Sequence, residues 1–224
     1  MTLVGRFVMK DLKRAYILNI CIFALEVFSI GWMWSGLSGG VLTASKFATL
    51  KFFTIDSNIL MGFAALFAFI EQGRILKGEK ANVPTGIAVF KLSGTVSVTL
   101  TMLITMFFLA PNAVKTTGFF SLFAYSNFFL HLVNPVLSII VFVCFEKSRA
   151  IPFRHTFTGT IPLVLYTVYY IYEVLTHMTN GIPARGYDWY GFFIRGISSV
   201  FIVPPILLLL TYGISFVLWK LNRS

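Results

Sequence analysis

Two residues of this chain have the chemistry of a nucleophile and its base. Thr54 sits in the run Lys51-Phe52-Phe53-Thr54-Ile55-Asp56-Ser57-Asn58, and His131 sits far along the chain in another apolar run. A threonine hydroxyl attacks a carbonyl carbon poorly until a base takes its proton, and a neutral imidazole is the side chain suited to that task near pH 7. The negative charge that develops on the attacked oxygen needs donors, for which Asn58, Asn127 and Asn134 are candidates. Glu26 and Glu173 are the carboxylates placed to orient the imidazole, and the sequence does not choose between them.

Helical phase sorts these residues onto faces. Asn127, His131, Asn134 and Ser138 follow one another at intervals of four, three and four, so they share one helix face. Thr54 and Asn58 also share a face, whereas Asp56 points well away from Thr54 and is expected to bond a neighbouring helix. Pro135 lies four residues after His131 and is expected to free the His131 carbonyl from its backbone bond. Tyr166, Tyr169, Tyr170, Glu173 and His177 line up on another helix, joining aromatic walls to a carboxylate and an imidazole. Each residue also has a packing interpretation. A buried histidine often serves only as a hydrogen-bonding side chain, and a transmembrane threonine commonly returns its hydroxyl to the carbonyl one turn earlier. Glu173 reads equally as a neutral acid bonded to a tyrosine.

The elements that must carry these residues are membrane spans. The chain has 224 residues, of which 57% are hydrophobic and 12% charged, with 25 phenylalanines, a composition unsuited to a soluble surface. Apolar runs of about 20 residues, the length that crosses roughly 30 Å of hydrocarbon, alternate with short polar segments. Six spans are expected, near residues 15–37, 52–70, 86–110, 119–145, 158–178 and 196–219, in one all-α domain covering 1–224. The first follows a basic segment without a small-residue cleavage site, so a retained span is expected there. Cys21 and Cys144 fall in spans and lack metal-ligand spacing, so neither a disulfide nor a metal or other cofactor is expected.

The formal charge of +10 is distributed unevenly. On one side of the predicted topology the N-terminal arm carries Arg6, Lys10, Lys13 and Arg14, the second loop region Arg74, Lys77, Lys80 and Lys91, the fourth Lys147, Arg149 and Arg154, and the C-terminal end Lys220 and Arg223. Lys46, Lys51, Lys115, Arg185 and Arg195 fall on the other. The positive-inside rule then puts both termini in the cytoplasm and explains the basic balance without a nucleic-acid partner. Trp32, Trp34, Tyr187, Trp189, Tyr190 and Trp219 gather near span ends as interfacial anchors. Tyr187-Asp188-Trp189-Tyr190 reads first as part of that belt and second as a lid over the outer mouth. Ser93, Ser97, Thr101 and Thr105 form a small-residue stripe that favours close helix packing over a substrate path. Pro204-Pro205 is expected to bend or break the sixth span.

The layout of six spans, the motif Phe53-Thr54-Ile55-Asp56-Ser57-Asn58 opening the second, and Tyr125-Ser126-Asn127 followed by His131 and Pro135 in the fourth resembles a known family. It is similar to the prokaryotic six-transmembrane relatives of the androgen-induced-gene-1-like membrane threonine hydrolases. The resemblance implies a Thr and a His as catalytic pair, matching Thr54 and His131, and cleavage of esters between a fatty acid and a hydroxy fatty acid. It further implies a lipid or acyl-chain substrate and a multi-pass protein of the bacterial plasma membrane. The pattern Thr-Ile-x-Ser-Asn is closer to the prokaryotic branch than to the animal one, which bears on the substrate more than on the residue pair. From the residues alone, two other readings stand: a small proton-linked transporter using Asp56, Glu173 and the histidines, and a non-catalytic lipid-binding membrane protein.

Overall fold

The computed structural model describes residues 3–38, 46–147, 151–184, 186–193 and 196–223. Arg149, Arg185 and Arg195 of the charge pattern lie outside the described residues. The chain is mostly helical. Helix α1 is Leu3–Trp34 and α2 is Phe53–Leu76. Helix α3, Thr85–Ala113, contains a π turn at Thr105–Leu109, and α4, Ser126–Phe145, contains two, at Phe129–Val133 and Val141–Phe145. Helix α5 is Ile161–Thr176 and α6 is Val203–Arg223. The two short strands Met178–Thr179 (β1) and Ile182–Pro183 (β2) pair antiparallel in the loop after α5.

Five of the described helices, α1, α2, α3, α4 and the stretch Ile197–Arg223 that includes α6, are long and apolar enough to cross a membrane. α2 and α3 run through the middle of the bundle: Ile55, Met61, Ala64 and Ala65 of α2 and Leu92, Val96 and Val98 of α3 are fully buried. Gly94 permits their close approach, because a Cβ there would stand 3.2 Å from the Met61 backbone. The hydroxyl stripe of α3 serves this packing. Ser93 donates to the Val89 and Thr158 carbonyls, Ser97 to that of Ser93, and Thr101 meets Ser57 of α2 at 3.0 Å.

Three expectations change. The run near 119–145 is not one helix: Phe119–Phe123 forms a separate 3-10 turn, and Tyr125 at φ +56° breaks the chain direction before α4 starts at Ser126. The prolines interrupt the last span at its start rather than midway: the stretch Ile197–Arg223 is a 3-10 helix through Phe201 and α-helical only from Val203. Pro204 and Pro205 lie in the first turn of α6, after the 3-10 turn Ile197–Phe201, where their missing N–H groups would have no helical partner in any case. Lys91 is not a loop cation. It lies inside α3, 2% exposed, donates to the Asn19 side chain and stands 4.0 Å from Glu146, whose other oxygen accepts from Asn19 at 2.6 Å and Gln72 at 2.8 Å. This network ties α1, α2, α3 and the end of α4 together at the end of the bundle away from Thr54. Burying a lysine is tolerable only where such partners replace its water.

Gly159, in the 3-10 turn leading to α5, has the least room of any described glycine, since an added Cβ would lie 2.5 Å from the Ser215 hydroxyl and 3.1 Å from Val96. Gly159→Ala is therefore expected to destabilise the protein by about 1–3 kcal/mol. Gly213→Ala, on an open face of α6 with nothing within 4 Å, should be neutral or stabilising. Thermal unfolding of the two variants in detergent checks the contrast.

Candidate active site at the start of α2

Helix α2 begins without a local cap: Phe52 precedes it in extended conformation and offers no side-chain acceptor. The donor left over at Phe53 is taken instead by the hydroxyl of Tyr190, from the loop before α6, at 2.9 Å. Burial pushes the Tyr190 phenol up to about 12, so it meets that N–H as a neutral hydroxyl. Thr54 is thereby the second residue of a helix whose start is held by a remote aromatic segment. Its side chain is only 5% exposed.

His131 comes to Thr54 through the wide turn of α4. Within Phe129–Val133 the helix takes the π register, with the Asn134 N–H reaching the Phe129 carbonyl. The imidazole Nε2 lies 3.3 Å from the Thr54 hydroxyl, and Nδ1 lies 2.6 Å from the Leu122 carbonyl oxygen. A carbonyl only accepts, so Nδ1 carries the proton and Nε2 presents its lone pair to Thr54. This is the tautomer a general base requires. The edge of Phe123 packs against the ring, and His131 is 1% exposed, which holds the imidazole away from bulk water.

The carboxamides are committed differently from the sequence expectation. Asn58 donates to the Thr54 carbonyl at 2.7 Å and to the Leu130 carbonyl at 3.3 Å, so its donors are spent on fixing backbone and it is not an oxyanion donor. The carbonyl that Asn58 reaches is that of Leu130 rather than His131. In the π register Leu130 is the residue that Pro135, lacking an N–H, leaves without a backbone donor. Asn134 turns its amide toward Glu26 at 2.7 Å, with Ser29 and Asn58 at 3.4 Å. Asn127 is buried beside His131 in the sequence, and its amide has no partner among the described residues.

Neither carboxylate expected to orient the imidazole does so. Glu26 bonds Asn134, and Glu173 faces His177 at 3.8 Å on a partly exposed stretch of α5. A backbone carbonyl, which no residue-type pattern reveals, performs the orientation. Asp56 lies half-buried on the wall of a cavity with Phe53, Leu60, Pro162, Tyr166 and Tyr169, turned from Thr54 as helical phase requires. Among the described residues no three His, Cys, Asp or Glu side chains gather as metal ligands.

Thr54 also lines an apolar cavity of about 60 Å³, walled by Phe53, Leu100, Ile104, Tyr166, Tyr190 and Phe193 among others. His131 is not among its lining residues, so Thr54 joins the apolar space to the imidazole. The segment Tyr187–Phe193 closes this space and is pinned to α5. Asp188 accepts from the backbone of Phe192 at 3.0 Å and Phe193 at 2.9 Å and from the Tyr170 hydroxyl, while Trp189 donates to Tyr166 at 2.9 Å. Tyr166 in turn donates to the Lys51 carbonyl at 2.7 Å, just ahead of α2. The aromatic density of 187–193 was the one sequence signal of this role.

Tyr190→Phe removes the acceptor from the Phe53 N–H. It should cost about 1–3 kcal/mol, the scale for leaving a buried donor unpaired, and should speed hydrogen exchange at Phe53 relative to amides in the middle of α2, as mass spectrometry or NMR would record. No protein family, curated protein or solved structure matches this chain.

Proposed function

We propose that the protein is an integral-membrane hydrolase of lipid esters, with Thr54 as nucleophile and His131 as base. The observation that carries this reading is the 3.3 Å approach of the Thr54 hydroxyl to an imidazole whose other nitrogen is anchored on a carbonyl, at the wall of an apolar cavity. His131 Nε2 takes the hydroxyl proton as Oγ1 attacks the ester carbonyl, then gives it to the leaving alkoxide. Water next attacks the acyl-threonine and loses a proton to His131, which passes it to the departing Thr54 Oγ1 as the carboxylic acid is released. Asn127, whose side-chain amide has no partner among the described residues, is the carboxamide left free to donate to the oxyanion. The substrate is an ester with at least one long acyl chain, of the fatty acid ester of hydroxy fatty acid type, which enters from the lipid.

The same reading takes the chain as a six-span bundle. The eight residues of Phe153–Thr160 and the sixteen of α5 together reach roughly 40 Å at about 2.0 and 1.5 Å per residue, enough to add a sixth crossing to the five long helices. Lys10, Lys13, Arg14, Arg74, Lys77, Lys80, Lys220 and Arg223 then flank the cytoplasmic face with both termini. Thr54 and His131 open toward the outer face of a bacterial plasma membrane.

A fluorophosphonate probe should label the purified protein, and the label should vanish in Thr54→Ala and fall by about 10²–10⁴ in rate in His131→Ala, while Glu79→Ala in the exposed α2–α3 loop keeps it. Turnover of acyl esters should follow the same order. Undiminished labelling of Thr54→Ala would remove the assignment.

A further inference from the structure

A second cavity, of about 340 Å³, lies between α2 and α5. It shares Phe53 and Tyr166 with the apolar space beside Thr54, but Thr54 does not line it. Its wall also includes Asp56 and Ser57 of α2 and Tyr169 of α5. The Tyr166 ring stands 5.1 Å from Phe53 at 55° and 6.3 Å from Tyr169 at 61°, so the three rings meet at steep angles rather than stacking flat. They form an aromatic corner, and the carboxylate-bearing Asp56 lines the same space.

Most of the polar groups in this wall are already spent. The Ser57 hydroxyl donates to the Thr54 carbonyl and meets Thr101 at 3.0 Å. The Tyr166 hydroxyl donates to the Lys51 carbonyl and accepts from Trp189. Asp56, half-buried, has no ion pair or side-chain hydrogen bond among the described residues, and none of their cations acts on its charge. Its place in the first turn of α2 gives it the helix dipole, roughly half a unit of positive charge. That eases a carboxylate there without cancelling it, and it does not account for the three rings.

The walls choose among counter-charges. A metal ion needs several oxygens, and this wall offers one free carboxylate. A primary ammonium brings three N–H donors to the same single acceptor group. A quaternary ammonium has no donor to satisfy and is held by aromatic faces and one negative charge. The adjacent Lys51 shows a cation held on rings at this end of the bundle: its Nζ lies 5.2 Å from the Phe52 centroid and 5.6 Å from that of Trp189.

We propose that this cavity binds a quaternary ammonium group, with Asp56 as the counter-ion and Phe53, Tyr166 and Tyr169 as the aromatic walls. The group is carried by a free solute or by a lipid headgroup, and the same chemistry recognises both. The site uses neither Thr54 nor His131 and stands whether or not they catalyse.

The test is equilibrium binding of radioactive choline to the full chain in a maltoside detergent, together with thermal unfolding in which tetramethylammonium chloride replaces NaCl at equal ionic strength. Choline should bind once per chain, and tetramethylammonium should raise the melting temperature by about 2–4 °C. Asp56→Asn, which keeps the shape and removes the charge, should weaken choline binding about tenfold or more. Tyr169→Leu should weaken it about 3- to 30-fold, and Tyr169→Phe, which keeps a ring, should bind more tightly than Tyr169→Leu. Tyr169 is 42% exposed, so its variants keep the proposal open to refutation if Asp56→Asn does not fold. Displacement of choline by phosphatidylcholine but not by phosphatidylglycerol supports a lipid headgroup as the source, and binding that neither lipid displaces supports a solute. Equal melting in both salts, choline binding unchanged in Asp56→Asn, or Tyr169→Leu binding as well as Tyr169→Phe each overturns the proposal.

Discussion

The bond from His131 Nδ1 to the Leu122 carbonyl, 2.6 Å long, is the constraint on which the candidate site depends. It selects the tautomer, aims Nε2 at Thr54 and needs no buried carboxylate to do so. It exists only because the chain does not enter α4 as a straight helix. Gly118 and Tyr125, at φ +90° and +56°, set the 3-10 turn Phe119–Phe123 apart from α4, so a carbonyl nine residues before His131 comes back to face the ring. In a continuous helix the Leu122 carbonyl would be bonded to the next turn and would lie more than two turns from the imidazole. The π turn that carries His131 and the proline that follows it widen the helix at the same point.

Lipid tolerates polar groups that satisfy one another, and this bundle sorts its polar groups into two clusters. Near the start of α2, Thr54, Asn58, His131, Asn134, Glu26 and Ser29 are linked by hydrogen bonds. Toward the other end, Asn19, Gln72, Lys91 and Glu146 form a second network. Ile22, Met61, Ala65, Val98 and Val141 pack into an apolar cluster contributed by the same four helices. The second network is largely satisfied within itself and acts as a clasp. The first leaves Glu26 Oε1 and Asn134 Oδ1 without partners among the described residues.

The aromatic segment Tyr187–Phe193 joins stability to the site. It packs edge-on against Tyr170 of α5, closes the apolar cavity and caps α2 through Tyr190, so the position of Thr54 depends on a loop far away in sequence. Any ligand that enters the cavity touches the same residues that hold the start of α2.

Much of the architecture was legible in residue order alone. Apolar runs set the long helices, because length and hydropathy are local properties. Helical phase alone put Asn127, His131, Asn134 and Ser138 on one buried face and turned Asp56 from Thr54. The pairing of Thr54 with His131 was legible only through the resemblance of their two motifs, since the chain holds many other threonines and serines in apolar runs. The tertiary structure decided everything that depends on backbone groups and on where distant segments meet. A carbonyl has no residue type, so nothing in the sequence marked Leu122 as the partner of the imidazole, or Leu130 as the acceptor for Asn58. Loop return placed Tyr190 over α2, and helix packing put Lys91 in a buried ionic network. Pro204-Pro205 breaks a span or starts one according to where the helix begins, and that boundary is set by packing rather than by the prolines themselves.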